Sequence, residues 1–173
     1  MKKILLALIM IMSINARAQT PSYTTSKDSV DGGLIFNGPI TFSDLGKEPS
    51  FTWYKGGLEL YKPYENVEQY LKTYLPEYSM VIFMGTWCDD SHYLIPRLEK
   101  VLQIINYPDS KITMYGVDRA KKTKNGEDKT YGITLVPTII LFKDGKETGR
   151  ITETVRKSIE EDLAEIISYP PTH

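Results

Sequence analysis

The sequence predicts an α/β fold in which a central mixed β-sheet is flanked by helices. A short continuous apolar run at residues 80–84 is typical of a strand buried on both faces, and residues 111–117 form a second predicted strand. Between them lies an apolar stripe at helical spacing, formed by Leu94, Leu98, Val101, Leu102 and Ile105. Because two strands joined by a helix form a right-handed unit, we expect these strands to pair in parallel.

Two further helices and a hairpin complete the predicted core. After Pro63 the apolar side of a helix is marked by Val67, Tyr70, Leu71, Tyr74 and Leu75. Residues 138–142 and 147–151 flank Asp144-Gly145, a pair typical of a tight hairpin turn. A closing helix is indicated by Val155, Ile159, Leu163 and Ile166, and it ends before Pro170-Pro171.

Residues 1–18 are predicted to be a cleaved secretory signal peptide. Lys2-Lys3 precedes an apolar run at residues 4–14, and Ala16-Arg17-Ala18 supplies the small residues that signal peptidase requires. A membrane anchor is the alternative, but a spanning helix needs about 20 apolar residues and this run is about half as long. The residue immediately after the cleavage position is Gln19 and not a cysteine, which argues against a lipoprotein. The predicted location is therefore periplasmic or secreted, and no stable membrane anchor is expected.

Three segments are predicted after the signal peptide. Residues 19–33 are rich in Ser, Thr and Gly, which predicts a flexible arm. Residues 34–62 carry short apolar and aromatic runs separated by glycines, which predicts an N-terminal β extension of strands or a hairpin. The main domain follows at residues 63–169. Its charged loop, residues 118–129, is predicted to be a solvated insertion, with a docking patch for an acidic partner as the alternative.

Composition and charge exclude several classes of function. The 173 residues are 41% hydrophobic and 25% charged, which is ordinary for a globular protein. The formal net charge is −1 and becomes more negative once the basic residues of the signal peptide are removed. We therefore expect no binding to nucleic acid or anionic lipid, since both need clustered Lys and Arg. Because Cys88 is the only cysteine, redox chemistry needs a sulfur from a partner.

The residues with the clearest chemical potential lie together in one segment, Trp87-Cys88-Asp89-Asp90-Ser91-His92. Cys88 lies between a buried strand and the first turn of a helix, where unpaired backbone N–H groups stabilise a thiolate. Cys88 is therefore the candidate nucleophile, and Trp87 is expected to pack beside its sulfur. A hydrogen bond from Ser91 and the charge of protonated His92 would support the thiolate, whereas Asp89 and Asp90 would oppose it.

The order and spacing of these motifs resemble the thioredoxin superfamily over roughly residues 63–169. The resemblance is carried by Trp87-Cys88, by Pro96 eight residues into the helix, by Val136-Pro137-Thr138, and by Leu141-Phe142-Lys143-Asp144-Gly145. It implies a thioredoxin-like fold with a cis Val136–Pro137 bond against the Cys88 sulfur. It also implies that an extended substrate binds at Val136 and Pro137 by strand addition to the Val136 backbone.

Three positions depart from the family pattern. Thioredoxins have Cys-x-x-Cys, but Ser91 replaces the second cysteine, so the thiol that would release a bound substrate is missing. The buried acid that thioredoxins keep six residues before the first cysteine is Ile82, and its usual lysine neighbour is Met114. A self-sufficient dithiol reductase is therefore not expected.

The favoured function is single-thiol disulfide exchange by an exported thioredoxin-like protein, and we lean toward an enzyme. Cys88 would form a mixed disulfide that an external or substrate thiol resolves. The expected partners are a disulfide- or thiol-bearing protein and an external thiol reductant, with no cofactor and no metal. One alternative is a non-catalytic binding module that keeps the thioredoxin fold and the cis-proline groove but performs no turnover. A less favoured one is copper handling by Cys88 and His92, which would make an incomplete site.

Overall fold

A computed structural model describes residues 22–168, and the predicted signal peptide lies outside this range. The strands and helices, in chain order, are β1 (Thr24–Lys27), β2 (Leu34–Ile40), α1 (Phe42–Lys47), α2 (Thr52–Leu60), α3 (Glu65–Tyr74), β3 (Ser79–Met84), α4 (Asp89–Ile104), β4 (Ile112–Gly116), α5 (Glu127–Thr130), β5 (Thr138–Lys143), β6 (Lys146–Thr152) and α6 (Ile159–Ser168). None of the helices between residues 22 and 168 is long and apolar enough to cross a membrane.

The strands form one six-stranded sheet in the order β1-β2-β4-β3-β5-β6. β3 and β4 pair in parallel, and the other neighbours pair antiparallel. The predicted α/β fold with a mixed central sheet is therefore confirmed. At the centre of the sheet Ile82 pairs with Met114 on one side and Ile139 on the other, and all three side chains are buried. The positions of the family's acid and lysine thus belong to the apolar core.

The elements predicted for the main domain are present as far as Ser168. The helix after Pro63 is α3, the buried strand is β3, and the predicted hairpin is formed by β5 and β6. α6 begins only at Ile159, whereas its predicted stripe begins at Val155. Ser158 explains the later start, because its Oγ accepts a hydrogen bond from Glu161 N at 3.2 Å and so caps the first turn.

Residues 34–62 do not form the predicted β extension, because only Leu34–Ile40 is a strand. The remainder forms the helices α1 and α2, so the prediction of further strands or a hairpin there is wrong. A capping box starts α1, in which Thr41 Oγ1 accepts from Asp44 N and Asp44 Oδ2 accepts from Thr41 N. The aromatic residues that suggested a strand lie at the start of α2 instead. This helix packs against α4 and buries Tyr54.

The prediction of a flexible arm at residues 19–33 is wrong for the part that the structure describes. β1 adds an edge strand to the sheet by pairing with β2. The turn that follows is ordered by Asp28, which is 4% exposed and accepts a hydrogen bond from Val30 N at 3.0 Å. Arg119 Nε also donates a bifurcated hydrogen bond to Asp28, with Oδ1 at 2.7 Å and Oδ2 at 2.8 Å. The stabilising partner lies 91 residues away in sequence, so no local pattern indicates it.

The charged loop after β4, residues 118–129, is organised around one buried carboxylate. Asp128 Oδ1 accepts hydrogen bonds from N and Oγ1 of Thr123, both at 3.0 Å. Its Oδ2 pairs with Lys122 Nζ at 3.2 Å. Lys124 and Lys129 are exposed, as expected for a solvated insertion. The loop is therefore solvated at its surface but held by polar contacts inside.

Candidate active site

Cys88 is the N-cap residue of α4 and follows the short connection from the end of β3. Its backbone carbonyl accepts the hydrogen bond from His92 N at 2.9 Å, so the helix starts directly at this residue. The side chain is partly exposed. The position therefore combines access from solvent with the positive end of the α4 dipole.

The loop before β5 faces the sulfur. Cys88 Sγ donates a hydrogen bond to the Val136 carbonyl oxygen at 3.3 Å. The Val136–Pro137 peptide bond is cis, as the family resemblance implies. Two hydrogen bonds hold this loop, from Thr138 Oγ1 to Leu135 O and from Glu153 N to Pro137 O, both at 2.8 Å. The thiol thus lies against a fixed stretch of backbone.

The Trp87 indole is held by a hydrogen bond at its edge and by a cation over its ring. Its Nε1 donates to the Val117 carbonyl at 3.0 Å, and the guanidinium carbon of Arg119 lies 5.1 Å from the ring centroid. A Cβ at Gly85 would lie 2.7 Å from Trp87 Cε2, so the indole needs glycine at that position. The indole is therefore packed against Gly85, Val117 and Arg119, and its predicted contact with the Cys88 sulfur stays a prediction.

Ser91 does not make the expected hydrogen bond to Cys88. The residue is fully buried, and its Oγ accepts a hydrogen bond from Gly85 N at 3.2 Å. This contact satisfies a backbone N–H group at the junction of β3 and α4 that burial would otherwise leave unpaired. The hydroxyl therefore stabilises the junction, and the expected support of a thiolate by Ser91 is not observed.

His92 faces the N-terminal segment of the chain. Its ring stacks on Trp53 of α2 with centroids 4.1 Å apart and planes at 17°, and its Nε2 lies 2.8 Å from the Thr86 carbonyl oxygen. Its Nδ1 lies 3.7 Å from Asp89 Oδ1. These contacts direct the His92 ring toward Trp53 and the Thr86 carbonyl, and the predicted support of a Cys88 thiolate by protonated His92 stays a prediction.

Two contacts near the thiol have no signal in the local sequence. Thr86 Oγ1 donates to the Leu34 carbonyl at 2.8 Å and accepts from Phe36 N at 3.2 Å, which ties β2 to the connection before Cys88. The second is the pair of Asp28 and Arg119, whose guanidinium holds the pKa of the Asp28 carboxyl below its usual range. Both join segments that are far apart in sequence, so only the tertiary fold brings them together.

The geometry gives no complete metal site among residues 22–168. No group of three or more His, Cys, Asp or Glu side chains in that range is arranged to hold a metal ion. Cys88 and His92, the two ligands of the copper alternative, are directed to different carbonyl oxygens, those of Val136 and Thr86.

These features define a thiol protein in which a cysteine at a helix start lies against a cis-proline loop. The family model described as Thioredoxin matches residues 63–168. Thioredoxin of Chlamydia muridarum is 32% identical over 89 residues, covering 51% of this chain and 78% of that protein. Thioredoxin AMT13 of Alternaria alternata is 25% identical over 111 residues, covering 63% of this chain and 89% of that protein. The chain belongs to the thioredoxin family, which confirms the resemblance.

Solved thioredoxin structures also match the chain. Fasciola hepatica thioredoxin has 22% identity and a TM-score of 0.39, with 61% of this chain and 92% of that chain covered. Mitochondrial thioredoxin 3 of Saccharomyces cerevisiae has 21% identity and a TM-score of 0.37, with 60% and 86% covered.

Proposed function

We propose that this protein performs single-thiol disulfide exchange through Cys88 after export from the cell. The observation that carries the proposal is the Cys88 sulfur, partly exposed at a helix start and 3.3 Å from the Val136 carbonyl of a cis-proline loop. Membership of the thioredoxin family adds support, because thioredoxin-like proteins act on thiol or disulfide substrates together with reductants.

The proposed reaction has two exchange steps. The Cys88 thiolate attacks one sulfur of a substrate disulfide, forming a mixed disulfide and releasing the other substrate sulfur as a thiolate that takes up a proton. An external thiol, or a second thiol of the substrate, then attacks the mixed disulfide. This restores Cys88 and leaves a new disulfide between the attacking thiol and the substrate sulfur.

The proposed binding mode uses the backbone of the loop before β5. An extended substrate segment would pair with Val136 as an added strand, with its sulfur next to Cys88. Leu135, which is 37% exposed, would contribute apolar contact at this edge. The two hydrogen bonds that hold the loop support this mode, because a fixed loop loses little conformational entropy on binding.

The need for an external thiol is inferred from the groups around Ser91. A hydroxyl cannot attack the mixed disulfide as a second cysteine would. The side chains of Ile82 and Met114 are apolar and buried, so neither can accept the proton of a resolving thiol. These three residues are mutually consistent with a site that has no internal resolving step.

The proposal can be tested on the wild-type protein, because Cys88 has no second cysteine beside it to release a substrate from the mixed disulfide. Rapid alkylation of the protein in its native compartment, followed by non-reducing mass spectrometry, should find part of Cys88 as a mixed disulfide or a small-thiol adduct. Cys88→Ala is the matched control and should carry none. If Cys88 is always a free thiol and Cys88→Ala retains full function in the cell, the non-catalytic binding module is the better description.

Export is a separate part of the proposal and rests on the sequence pattern of residues 1–18. The exported protein should begin at Gln19, which mass analysis of the purified extracellular or periplasmic protein would measure. Retention of Met1 in exported protein would contradict cleavage by signal peptidase.

A further inference from the structure

A cavity of about 230 Å³ lies along α4, beyond the first turn of the helix. Tyr93 and Arg97 form one wall, and Lys62 and Lys157 reach it from other segments. Tyr93 lies five positions after Cys88, which is about 7.5 Å along the axis of α4 and about 140° around it.

The opposite wall of the cavity is continuous with the cis-proline loop. Glu153 N donates a hydrogen bond to the Pro137 carbonyl at 2.8 Å. Val155, two residues later, lines the cavity, and Lys157 follows it. The Val155 wall of the cavity is thus joined through Glu153 to the cis-proline loop that lies against Cys88.

The charge of the cavity is positive. Among residues 22–168 no carboxylate lies within 4.0 Å of Arg97, Lys62 or Lys157 to form an ion pair, whereas Lys143 pairs with Glu77. Cations that are not neutralised by their own chain attract acidic groups of a partner.

Two buried acidic side chains, Glu160 and Asp162, bind residues of the cavity wall. Glu160 is fully buried, and its two carboxylate oxygens accept hydrogen bonds from Tyr61 Oη at 2.7 Å and Tyr64 N at 2.8 Å. Burial and the contact with Glu160 raise the pKa of Tyr61, so its hydroxyl remains a proton donor to that carboxylate. Asp162 is also buried and accepts from the backbone N–H of Lys157 at 3.3 Å. These carboxylates hold the walls and leave the cavity itself cationic.

The Arg97 guanidinium is oriented by contacts within the protein. Its guanidinium carbon lies 3.5 Å from the centroid of the Tyr93 ring and 5.3 Å from that of Tyr61. Its Nη1 also donates to the Tyr93 carbonyl oxygen. A guanidinium held between two rings loses little rotamer freedom when it binds a carboxylate.

The surface charge changes sign along α4. Asp89 and Asp90, beside the thiol, are exposed and negative, whereas the cavity further along the helix is positive. We infer that this cavity selects substrate proteins that carry an Asp or Glu side chain two or three residues from their reactive cysteine, a selectivity that rests on the proposed disulfide exchange. The spacing follows because Val155, in the cavity wall, is two residues beyond Glu153, which binds the Pro137 carbonyl, and an extended peptide advances about 3.3 Å per residue.

Peptide 2-pyridyl disulfides provide a direct test. The Cys88 thiolate attacks the peptide sulfur, forms a mixed disulfide and releases pyridine-2-thiolate, which takes up a proton from water and is followed as pyridine-2-thione by its absorbance. Pairs of peptides with Asp or Asn three residues before or after the cysteine differ in one charge. For one of the two positions we expect the Asp peptide to react about two- to fivefold faster at low ionic strength, as for a partly exposed ion pair. High salt should abolish the difference.

Charge variants test whether the cations of the cavity cause the preference for Asp peptides. Lys157→Gln and the double variant Arg97→Gln/Lys157→Gln should reduce the ratio of Asp to Asn rates toward one. Lys146→Gln is the matched control, because Lys146 is exposed at the far turn of the β5–β6 hairpin, about 20 Å along the strand from Pro137. This variant should keep the ratio.

The outcomes separate the two proposals. If no peptide reacts faster with wild type than with Cys88→Ala, the proposed exchange function is wrong. Equal rates for Asp and Asn peptides at both positions would overturn the selectivity while leaving the exchange function intact. A preference for Asp that survives in both cavity variants would also overturn it, because the charge would then act from another place.

Discussion

The substitution Ser91→Cys would restore the thiol that thioredoxins use to release their substrates. Ser91 is fully buried, and its Oγ accepts the hydrogen bond from Gly85 N at 3.2 Å. Because sulfur is a weaker acceptor than oxygen, we expect the free energy of unfolding to fall by about 1 kcal/mol. Side chains three residues apart at a helix start have Cβ atoms about 5–6 Å apart, so a small adjustment allows a disulfide with Cys88.

The expected gain is in the release of the bound substrate. The wild-type mixed disulfide must wait for an external thiol, whereas the new thiol would attack within the same molecule. Well-oriented intramolecular groups reach effective concentrations on the order of 10⁵ M, so even poor alignment should make release at least about 100-fold faster than with millimolar external thiol. Ile82 offers no carboxylate to accept the proton of the new thiol. Adding Ile82→Asp should therefore speed release further while destabilising the core.

The assay starts from protein loaded at Cys88 with a peptide through its pyridyl disulfide. After removal of excess reagent, release of the peptide thiol is measured over time, with and without external thiol. Ser91→Ala is the control, since it removes the hydroxyl without adding a thiol. If oxidised Ser91→Cys contains no internal disulfide by mass spectrometry and releases no peptide on its own, residue 91 does not face the Cys88 sulfur and the geometry of the site is wrong.

Two further predictions concern stability. A Cβ at Gly57 would lie 2.9 Å from Pro96 Cβ, so Gly57→Ala should lower the free energy of unfolding in urea by about 1–3 kcal/mol, whereas Gly56→Ala, with no neighbour within 4 Å, should raise it by about 0.5–1 kcal/mol. Equal effects of the two substitutions would contradict the packing of α2 on α4. The pair of Asp28 and Arg119 should make stability depend on pH. Because the pKa of Asp28 is lowered in the folded protein, its contribution is present above about pH 4 and is lost as the pH falls through the folded value. The melting temperatures of wild type and Asp28→Asn should therefore differ at pH 7 and converge in acid, and a constant difference would refute the linkage.

The central fold was predictable because its signals are local. The apolar run of β3, the helical stripe of α4 and the Asp144-Gly145 turn each specify their element within a few residues. The place of Cys88 follows from the same patterns, since a strand end and a helix start meet there. The cis Val136–Pro137 bond and its place against Cys88 were predictable only through the family resemblance, because no local pattern indicates them.

The local sequence was misleading in the N-terminal segment. Its aromatic residues fit a strand by composition, but they lie in a helix, α2, that packs on α4 with Gly57 close to Pro96. The described part of the arm, residues 22–33, likewise has no strong propensity of its own. It is ordered by the pairing of β1 with β2 and by the contact of Asp28 with Arg119, which lies 91 positions later in the chain.

The sequence by itself determined the core elements, the single thiol and the absence of a second cysteine beside it. Only the tertiary structure decided where the neighbouring side chains point. Ser91 turns to Gly85, and His92 stacks on Trp53, a residue from a segment 39 positions earlier in the chain. The cationic cavity has the same origin, because its lining comes from three separate segments that meet only when the chain folds. Local patterns encode secondary structure because they involve residues close together in sequence. The direction of a side chain depends on contacts with residues that are far away in sequence, so no local pattern indicates it.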